Sequence, residues 1–417
     1  MSKSLIALTG SRGQVDATTN YISVIGALSG TSISPTSEAP QESPIRFSGT
    51  ASNLFANVPT NTASVNSVLT LRKSRADTSI TITYSSDQTG IKEDTSNTAS
   101  YANTDEIDYK LAIPTEVNIN TLTADVLSFQ YEPTDCLSLL GLFTTGTANI
   151  FDNNTTTFWV PTGSISSNTS TEANTKYRIR STFTASNLYG YITNNAHTTT
   201  TNIRTRKNGA NGNQVITFTA GQTGVVEDTS NTDSLSAGDD FNFSITVGNG
   251  TGTNALNLNI LGVSLINTSN NFILLDGTTA GVAVNFNSTV YTGCSGFFNF
   301  TTTESNIQIY PRFDFTAKEL GARVKTNTIA TSATSVTVRD NGTDSAITVS
   351  YAEAETGLKS DTSNTATITS GTDTIDYKVV TPNTSGAITF SWIGILGGTS
   401  SSPAVSTTRR RRQRTIS

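Results

Sequence analysis

The chain has 417 residues and a net charge of −6, with 35% hydrophobic and only 14% charged residues. Both fractions fall below globular averages of about 45–50% and 25%, and Thr, Ser, Asn and Gly fill the difference. Retained aromatics (8%) and β-branched residues exclude a disordered chain, and the lack of any run of 18 apolar residues excludes a transmembrane helix.

Low charge with abundant Thr and Val favours strands, because β-branched side chains fit a pleated surface. In chain order, residues 1–19 read as an extended polar N-terminal arm broken by Gly10 and Gly13. The opening Met1–Gly10 is too short in its apolar run for a signal peptide, which places synthesis in a cytoplasm. A strand-like run Tyr21–Gly26 follows, then Ile45–Thr50 leading into Ala51-Ser52-Asn53-Leu54. That last stretch recurs as Ala185-Ser186-Asn187-Leu188 and as Ala317-Lys318-Glu319-Leu320. Next comes an alternating pair, Val68–Lys73 with Ser79–Tyr84, matched by Ile203–Lys207 with Val215–Thr219 and by Val336–Arg339 with Ile347–Tyr351. Two of these connections carry Asn-Gly (Asn208-Gly209, Asn341-Gly342), the dipeptide best suited to positive φ in tight hairpins. The first has Ser74-Arg75 and is expected to turn differently.

The five-residue word Asp-Thr-Ser-Asn-Thr stands at 94–98, 228–232 and 361–365. Each copy has a Gly four residues before its Asp (Gly90, Gly224, Gly357) and an Arg eighteen before that Gly (Arg72, Arg206, Arg339). Aligned anchors at near-constant spacing mark a triplicated domain, with expected repeats at 20–148, 149–270 and 271–403 and a C-terminal tail at 404–417. After each word comes a strand with an acidic lead-in: Asp105–Tyr109, Asp239–Phe243 and Asp373–Tyr377. Alternation there predicts one buried and one solvated face, with the acids Asp108 and Asp376 on the wet side. Apolar strands close each copy: Val126–Phe129 with Leu137–Leu142, then Leu256–Val263, then Ile388–Leu396. The stretch Ser391–Pro403 matches Ser23–Pro35 at nine of thirteen positions, read either as similar core strands or as a duplicated strand that pairs with a neighbour. About eight short strands per repeat, with no helical period, predict an all-β chain of three antiparallel β-sandwiches, jelly-roll-like or immunoglobulin-like.

The run Thr-Leu-Arg-Lys…Ile-Thr-Ile-Thr…Thr-Gly…Asp-Thr-Ser-Asn-Thr…Asp-Glu-Ile-Asp-Tyr-Lys resembles the core of jelly-roll domains of the C1q/tumour-necrosis-factor group. Comparable units occur in bacterial spore-surface, collagen-like and phage structural proteins. The resemblance covers about 50–60 residues of each repeat (65–115, 200–247 and 333–380). That family forms trimers of one-domain subunits, which implies that three copies in one chain close into an intrachain pseudo-trimer. It brings no catalytic residues with it.

The residues offer little chemistry. The single histidine, His197, lies in a polar stretch and reads as a surface or turn residue; it rules out two-His metal sites. The two cysteines, Cys136 and Cys294, have neither disulfide nor metal spacing. Paired carboxylates serve glycoside hydrolysis or calcium binding, and Asp105/Asp108, Asp239/Asp240, Asp373/Asp376, Glu93-Asp94 and Glu227-Asp228 recur. A feature present three times in one local context points to a structural cause, the Asp of each word capping its own turn, with calcium a minor alternative and no cofactor expected. The three signature arginines are expected either to pair with these acids or to line a threefold axis.

Arg409, Arg410, Arg411, Arg412 and Arg414 form a basic tail; removing their five charges from the net −6 leaves −11 on the body. Such a tail fits docking on an acidic partner, and it is the only segment suited to nucleic acid. The function expected is that of a non-enzymatic virion structural protein, a bacteriophage capsid decoration or cement protein or a fibre subunit, assembled in a host cytoplasm. Its expected partners are other particle proteins and further copies of itself, with no membrane insertion. Two other readings stand: a receptor- or glycan-binding adhesin using Trp159, Tyr189 and Tyr191, and an extracellular filament subunit assembled by strand exchange.

Overall fold

The computed structural model describes residues 2–15, 19–26, 28–29, 37–113, 121–144, 149–150, 155–165, 168–249, 256–382 and 385–399. Twenty-four principal strands form its framework. The first set is β1 (Ser4–Val15), β2 (Thr19–Ser23), β3 (Gly49–Val58), β4 (Ser67–Lys73), β5 (Ala76–Tyr84), β6 (Gly90–Tyr101), β7 (Glu106–Ala112) and β8 (Thr121–Pro133). The second is β9 (Cys136–Phe143), β10 (Thr156–Trp159), β11 (Phe183–Asn195), β12 (Thr201–Lys207), β13 (Ala210–Phe218), β14 (Gly224–Leu235), β15 (Asp240–Thr246) and β16 (Leu256–Asn267). The third is β17 (Asn271–Asn285), β18 (Thr289–Thr292), β19 (Phe315–Asn327), β20 (Thr334–Asp340), β21 (Thr343–Tyr351), β22 (Gly357–Ile368), β23 (Ile375–Val380) and β24 (Ala387–Gly398). Among the described residues no helix is long and apolar enough to cross a membrane.

Each set makes two antiparallel sheets in one order. In the first they run β1-β8-β3-β6 and β2-β7-β4-β5, and the other two sets repeat this with their own strands. First strand beside last, third beside last and sixth, is the jelly-roll connection and excludes the immunoglobulin one. The alternation on β5 shows why these segments are strands: Ile80, Ile82 and Tyr84 are buried between exposed neighbours.

Strand pairing corrects four expectations. Ser4–Val15 is not a free arm: β1 pairs antiparallel with β8 from Ser4↔Tyr131 to Val15↔Thr121. Cys136–Phe143 does not close the first repeat but opens the second, pairing with β16, so the first division falls between Pro133 and Cys136. The two nine-of-thirteen stretches are not equivalent. Ser391–Gly398 lies in the central strand β24, whereas Ser23 ends β2 and Val24–Gly26 bends away from it. Ser74-Arg75 turns as the Asn-Gly pairs do, with φ of 44° and 67° against 52° and 79° at Asn208-Gly209. Left-handed backbone is costly for such residues. It is offset here by the Arg75 guanidinium, which forks onto Glu42 at 2.9–3.1 Å.

No jelly roll completes its own core. The first repeat's apolar cluster includes Leu137, Tyr189 and Ile260 from the second. The second includes Ile273, Leu275, Trp392 and Leu396 from the third, and the third includes Leu5, Ala7, Phe55 and Val126 from the first. The donation runs in one direction and returns to its start, so the three repeats form a closed pseudo-threefold ring.

Backbones meet where β1, β9 and β17 converge, and glycine is obligatory there. Gly26, Gly163 and Gly296 all have positive φ (80°, 95° and 113°). A Cβ on Gly26 would lie 2.5 Å from Phe143 N, one on Gly163 2.1 Å from Gly277 O, and one on Gly296 2.8 Å from Thr9 N. Thr9, Phe143 and Gly277 are themselves equivalent residues, so each glycine touches the next repeat at the same point. Gly163→Ala is expected to cost about 2–5 kcal/mol, from left-handed strain plus a backbone clash. Gly221→Ala, at φ 70° with open space around it, should cost only about 1–2 kcal/mol. Urea unfolding of the two variants checks the difference.

Candidate functional site: the repeat signature and the joints between repeats

The Asp-Thr-Ser-Asn-Thr word lies on the sixth strand of each jelly roll, opposite a bulge in the third. The register slips between Ser52 and Leu54, Ser186 and Leu188, and Lys318 and Leu320. The residue inside each slip is left-handed: Asn53, Asn187 and Glu319 at φ 53–59°. Asn adopts this conformation readily, which explains the recurring Ala-Ser-Asn-Leu. Asp94 Oδ1 accepts from Ser96 N and Asn97 N at 3.1 Å, while Oδ2 accepts from Thr81 N on β5 at 2.9 Å. Asp228 takes Val215 N at 2.9 Å and Asp361 takes Thr348 N at 3.0 Å in the same way. The motif therefore joins the two sheets at their open side, where β5, β13 and β21 would otherwise present unpaired amides. Burial would raise the pKa of Asp361, but the donated hydrogen bonds outweigh it and hold the carboxyl down to about 2. Gly90, Gly224 and Gly357 start these strands at φ 89–94°.

Arg72, Arg206 and Arg339 line no axis, nor do they pair with the acids of the word or of the strand after it. Each is the centre of a clamp within its own repeat. Arg72 forks onto Glu38 with both bonds at 2.9 Å, Arg206 onto Glu172 at 2.9 and 3.2 Å, and Arg339 onto Glu304 at 2.8 and 3.3 Å. Each also donates to a side chain on the hairpin partner (Asp77, Asn211 or Asp344) and to a turn carbonyl (Arg75, Gly209 or Gly342). An aromatic face at 5.5–5.8 Å (Tyr21, Phe158 or Tyr291) completes the shell. The clamp fixes a short 3₁₀ turn (Ala39–Gln41, Glu172–Asn174, Glu304–Asn306) against the sandwich.

A few residues beyond each turn a second arginine crosses to the next repeat. Arg46 Nε donates to Glu227 Oε2 at 2.9 Å, and Arg312 Nε donates to Glu93 Oε1 at 2.8 Å. Arg180, in the equivalent place, finds Ser360 Oγ instead, because the third copy has Ser where the others have Glu. Its Nε is buried without a partner. Sequence reading missed these joints, although Arg46, Arg180 and Arg312 recur at intervals of 134 and 132 and Glu38, Glu172 and Glu304 at the same intervals. The arginines each stand five residues before the Ala of the recurring stretch (Ala51, Ala185, Ala317), a spacing that could have found them; the glutamates stand eight residues before the arginines, with no repeated word of their own.

Other expectations are corrected by burial. Asp108 and Asp376 are not on a solvated face: both are fully buried. Asp105 and Asp239 face outward and pair with Lys73 and Lys207 at 3.0 and 3.1 Å, and Asp373 caps Thr369 N at 2.7 Å. His197 is not a surface residue but 2% exposed, and neither ring nitrogen has a hydrogen-bond partner. Cys136 and Cys294 are buried free thiols whose pKa values burial raises. Trp159 and Tyr189 are 1% exposed, so neither offers a sugar-stacking face. Among the described residues no group of three or more His, Cys, Asp or Glu is placed to hold a metal ion. Arg409, Arg410, Arg411, Arg412 and Arg414 lie outside the described residues.

No family model matches the chain, and no curated protein matches it. Among solved structures it is similar to a chain from "The Triple Jelly Roll Fold and Turret Assembly in an Archaeal Virus", with 13% identity over 85% of this chain and 80% of that one and a TM-score of 0.19. A superposition this loose carries no weight for arrangement or role; the fold rests on the strand order given above.

Two substitutions test the site. Asp361→Ala is expected to destabilise by about 1–3 kcal/mol, because three backbone amides lose their acceptor. That loss should shrink as the pH falls from the unfolded carboxyl range near 3.9 towards 2, where the native carboxyl also takes a proton. Ser360→Glu gives Arg180 the carboxylate its two equivalents have and is expected to stabilise by about 0.5–1 kcal/mol. Chemical denaturation at several pH values reads both.

Proposed function

We propose that the protein is a non-enzymatic structural component of a virus particle, acting as a pre-closed, pseudo-threefold building block. The observation that carries this reading is the ring. Three jelly rolls that complete one another's cores behave as one rigid body, and that body offers three near-equivalent outer faces to its neighbours. The recurring polar residues support it. The signature aspartates stitch sheets, the signature arginines clamp turns, and the second arginines join repeats. Each is engaged in holding the fold together.

Within that role the body suits a capsid decoration or cement protein better than a fibre grown by strand exchange. One amide on each fifth-strand edge is already taken by Asp94, Asp228 or Asp361, and Ser4–Val15 is already paired within its own sheet. The basic tail at 409–414 is the segment proposed to dock on an acidic neighbour. The adhesin reading loses two of its three aromatics to the core, and Tyr191 packs partly buried against the first repeat's cluster.

Density-gradient fractionation of a culture producing the protein tests the proposal. The chain is expected to band with particles in constant ratio to the major coat protein, and a variant ending at Thr399 is expected to leave the particle band. Recovery of the full-length chain solely in the soluble fraction would overturn the structural assignment. Retention of the shortened chain on particles would sink the role given to the tail.

A further inference from the structure

At one buried position the repeats differ in a chemically informative way. Asp108, Asn242 and Asp376 pair in register with Arg72, Arg206 and Arg339, so they are equivalent, and all three are fully buried. They lie behind the arginine–glutamate clamp. Asn242 places its donor: its Nδ2 donates to Thr175 Oγ1 at 3.0 Å and to its neighbour's carbonyl at 3.3 Å, while its Oδ1, like the two carboxyls, accepts nothing and carries no charge. Neither carboxyl oxygen of Asp108 or Asp376 accepts a hydrogen bond of normal geometry. An ionised carboxylate without donors or countercharge is very costly inside a protein.

The countercharge is already taken. Asp108 is faced by Glu38 from the 3₁₀ turn, Glu42 just beyond it, Glu106 on its own strand and Arg72 on β4, with the Tyr21 and Tyr101 phenols close by. Arg72 is bound to Glu38 and Asp77, and Asp77 also holds Lys110. Asp376 is faced by Glu304 and Gln308 from the turn, by Arg339 on β20 and by the Cys294 thiol. Arg339 is likewise bound to Glu304 and Asp344, and Asp344 to Lys378. In the second repeat the whole set is less charged: Asn242, Asn211 and Ser244 stand for Asp108, Asp77 and Lys110. An asparagine is the near-isostere of a protonated aspartate, so the second repeat shows in covalent form the state the other two reach by holding a proton.

We infer that Asp108 and Asp376 are protonated in the folded protein, each as the acid partner of a clamped glutamate, and that they form a pH-sensitive latch on two of the three joints. The turns they back are the joint elements. Ala39–Gln41 packs on β11 and β16 of the second repeat, and the Ser305 and Asn306 carbonyls accept Asn57 Nδ2 of the first at 2.8 and 3.0 Å. Glu172–Asn174 packs on β19 of the third, backed by Asn242. Loss of the Asp108 or Asp376 proton to solvent brings a third carboxylate to an arginine that already holds two and pushes the turn away from its neighbour. Joints one–two and three–one loosen in base, while joint two–three is indifferent.

Burial, and then the Glu38 charge, lift Asp108 to about 9, and burial with Glu304 holds Asp376 well above the ordinary carboxyl range. Above about pH 4 the unfolded chain has released these protons and the folded chain keeps them. Each contribution to stability is therefore full in acid and is lost as the pH rises, that of Asp108 through about 9 and that of Asp376 in the same direction.

Hydrogen exchange of the full chain, corrected for intrinsic rate, tests the latch between about pH 6 and about pH 10. Peptides covering 38–47 and 304–312 are expected to lose protection about tenfold more than 172–180. Asp108→Asn with Asp376→Asn should abolish that difference, and Asn242→Asp should extend the loss to 172–180. Equal loss at all three turns, or an unchanged loss in the Asn variant, overturns the inference. Infrared spectra at neutral pH serve where a variant folds poorly. Each single Asp→Asn change should remove part of the protonated-carboxyl carbonyl band, and an undiminished band in both refutes the assignment.

Discussion

The structure depends on one constraint: a jelly roll of this sequence leaves a gap in its core that only the next repeat can fill. Phe55 with Val126, Tyr189 with Ile260, and Gly321 with Trp392 occupy the same pair of positions; the first two pairs, and Trp392 alone of the third, line the adjoining repeat's cluster. Burying apolar surface contributes about 25 cal/mol per Å², so an isolated repeat would expose residues that the ring hides. The pairs also compensate in size. Where the third repeat has Gly321, Trp392 lies over it, its ring atoms about 3 Å from where a Cβ would stand, and its indole nitrogen donates to Lys176 O across the joint at 2.9 Å.

Ring closure explains why symmetry is kept in some places and lost in others. At the axis three backbones approach within contact distance, and Gly26, Gly163 and Gly296 admit no alternative. The clamp arginines keep their glutamates in all three copies because the 3₁₀ turn must stay seated on its neighbour. At the crossing arginines the constraint is weaker. Arg180 loses its carboxylate, yet Trp392 and Arg323, which donates to Lys176 O at 3.0 Å, still hold that joint. Identity is preserved where geometry has one solution and drifts where another contact can compensate.

The triplication, the all-β class and the strand positions were legible because period-two alternation and turn residues act locally. The Asp of each repeated word was legible as a turn cap for the same reason. What lay beyond reach depended on partners distant in sequence. Asp108 alternates with Ile107 and Tyr109 as a solvated residue would, but the clamp covers its face of the sheet. Ser4–Val15 looked like an arm because its partner β8 begins over 100 residues later. The Ser74-Arg75 turn lacked its Asn-Gly signal because the compensation comes from Glu42, again outside the hairpin. Jelly roll and immunoglobulin sandwich share local patterns and differ only in which strands sit side by side.

Edges decide how such a body can meet others. An open sheet edge recruits strands from any source, and a chain with six sheets carries many. Here the fifth strand of every repeat is stitched to the sixth by an aspartate that accepts a fifth-strand amide, and Lys92 reinforces the first repeat by donating to Thr83 O. The first strand of every repeat is drawn towards the axis, where Thr9 exchanges backbone hydrogen bonds with Ser295 and Phe297 of the third repeat. The outer sheet faces are what the ring leaves open to solvent. The outer faces are dominated by Thr, Ser and Asn, whose short side chains lose little entropy on ordering and can hydrogen-bond in either sense. The ring thus uses its apolar surface and its recurring charged residues to close upon itself, and leaves these short polar side chains facing outward.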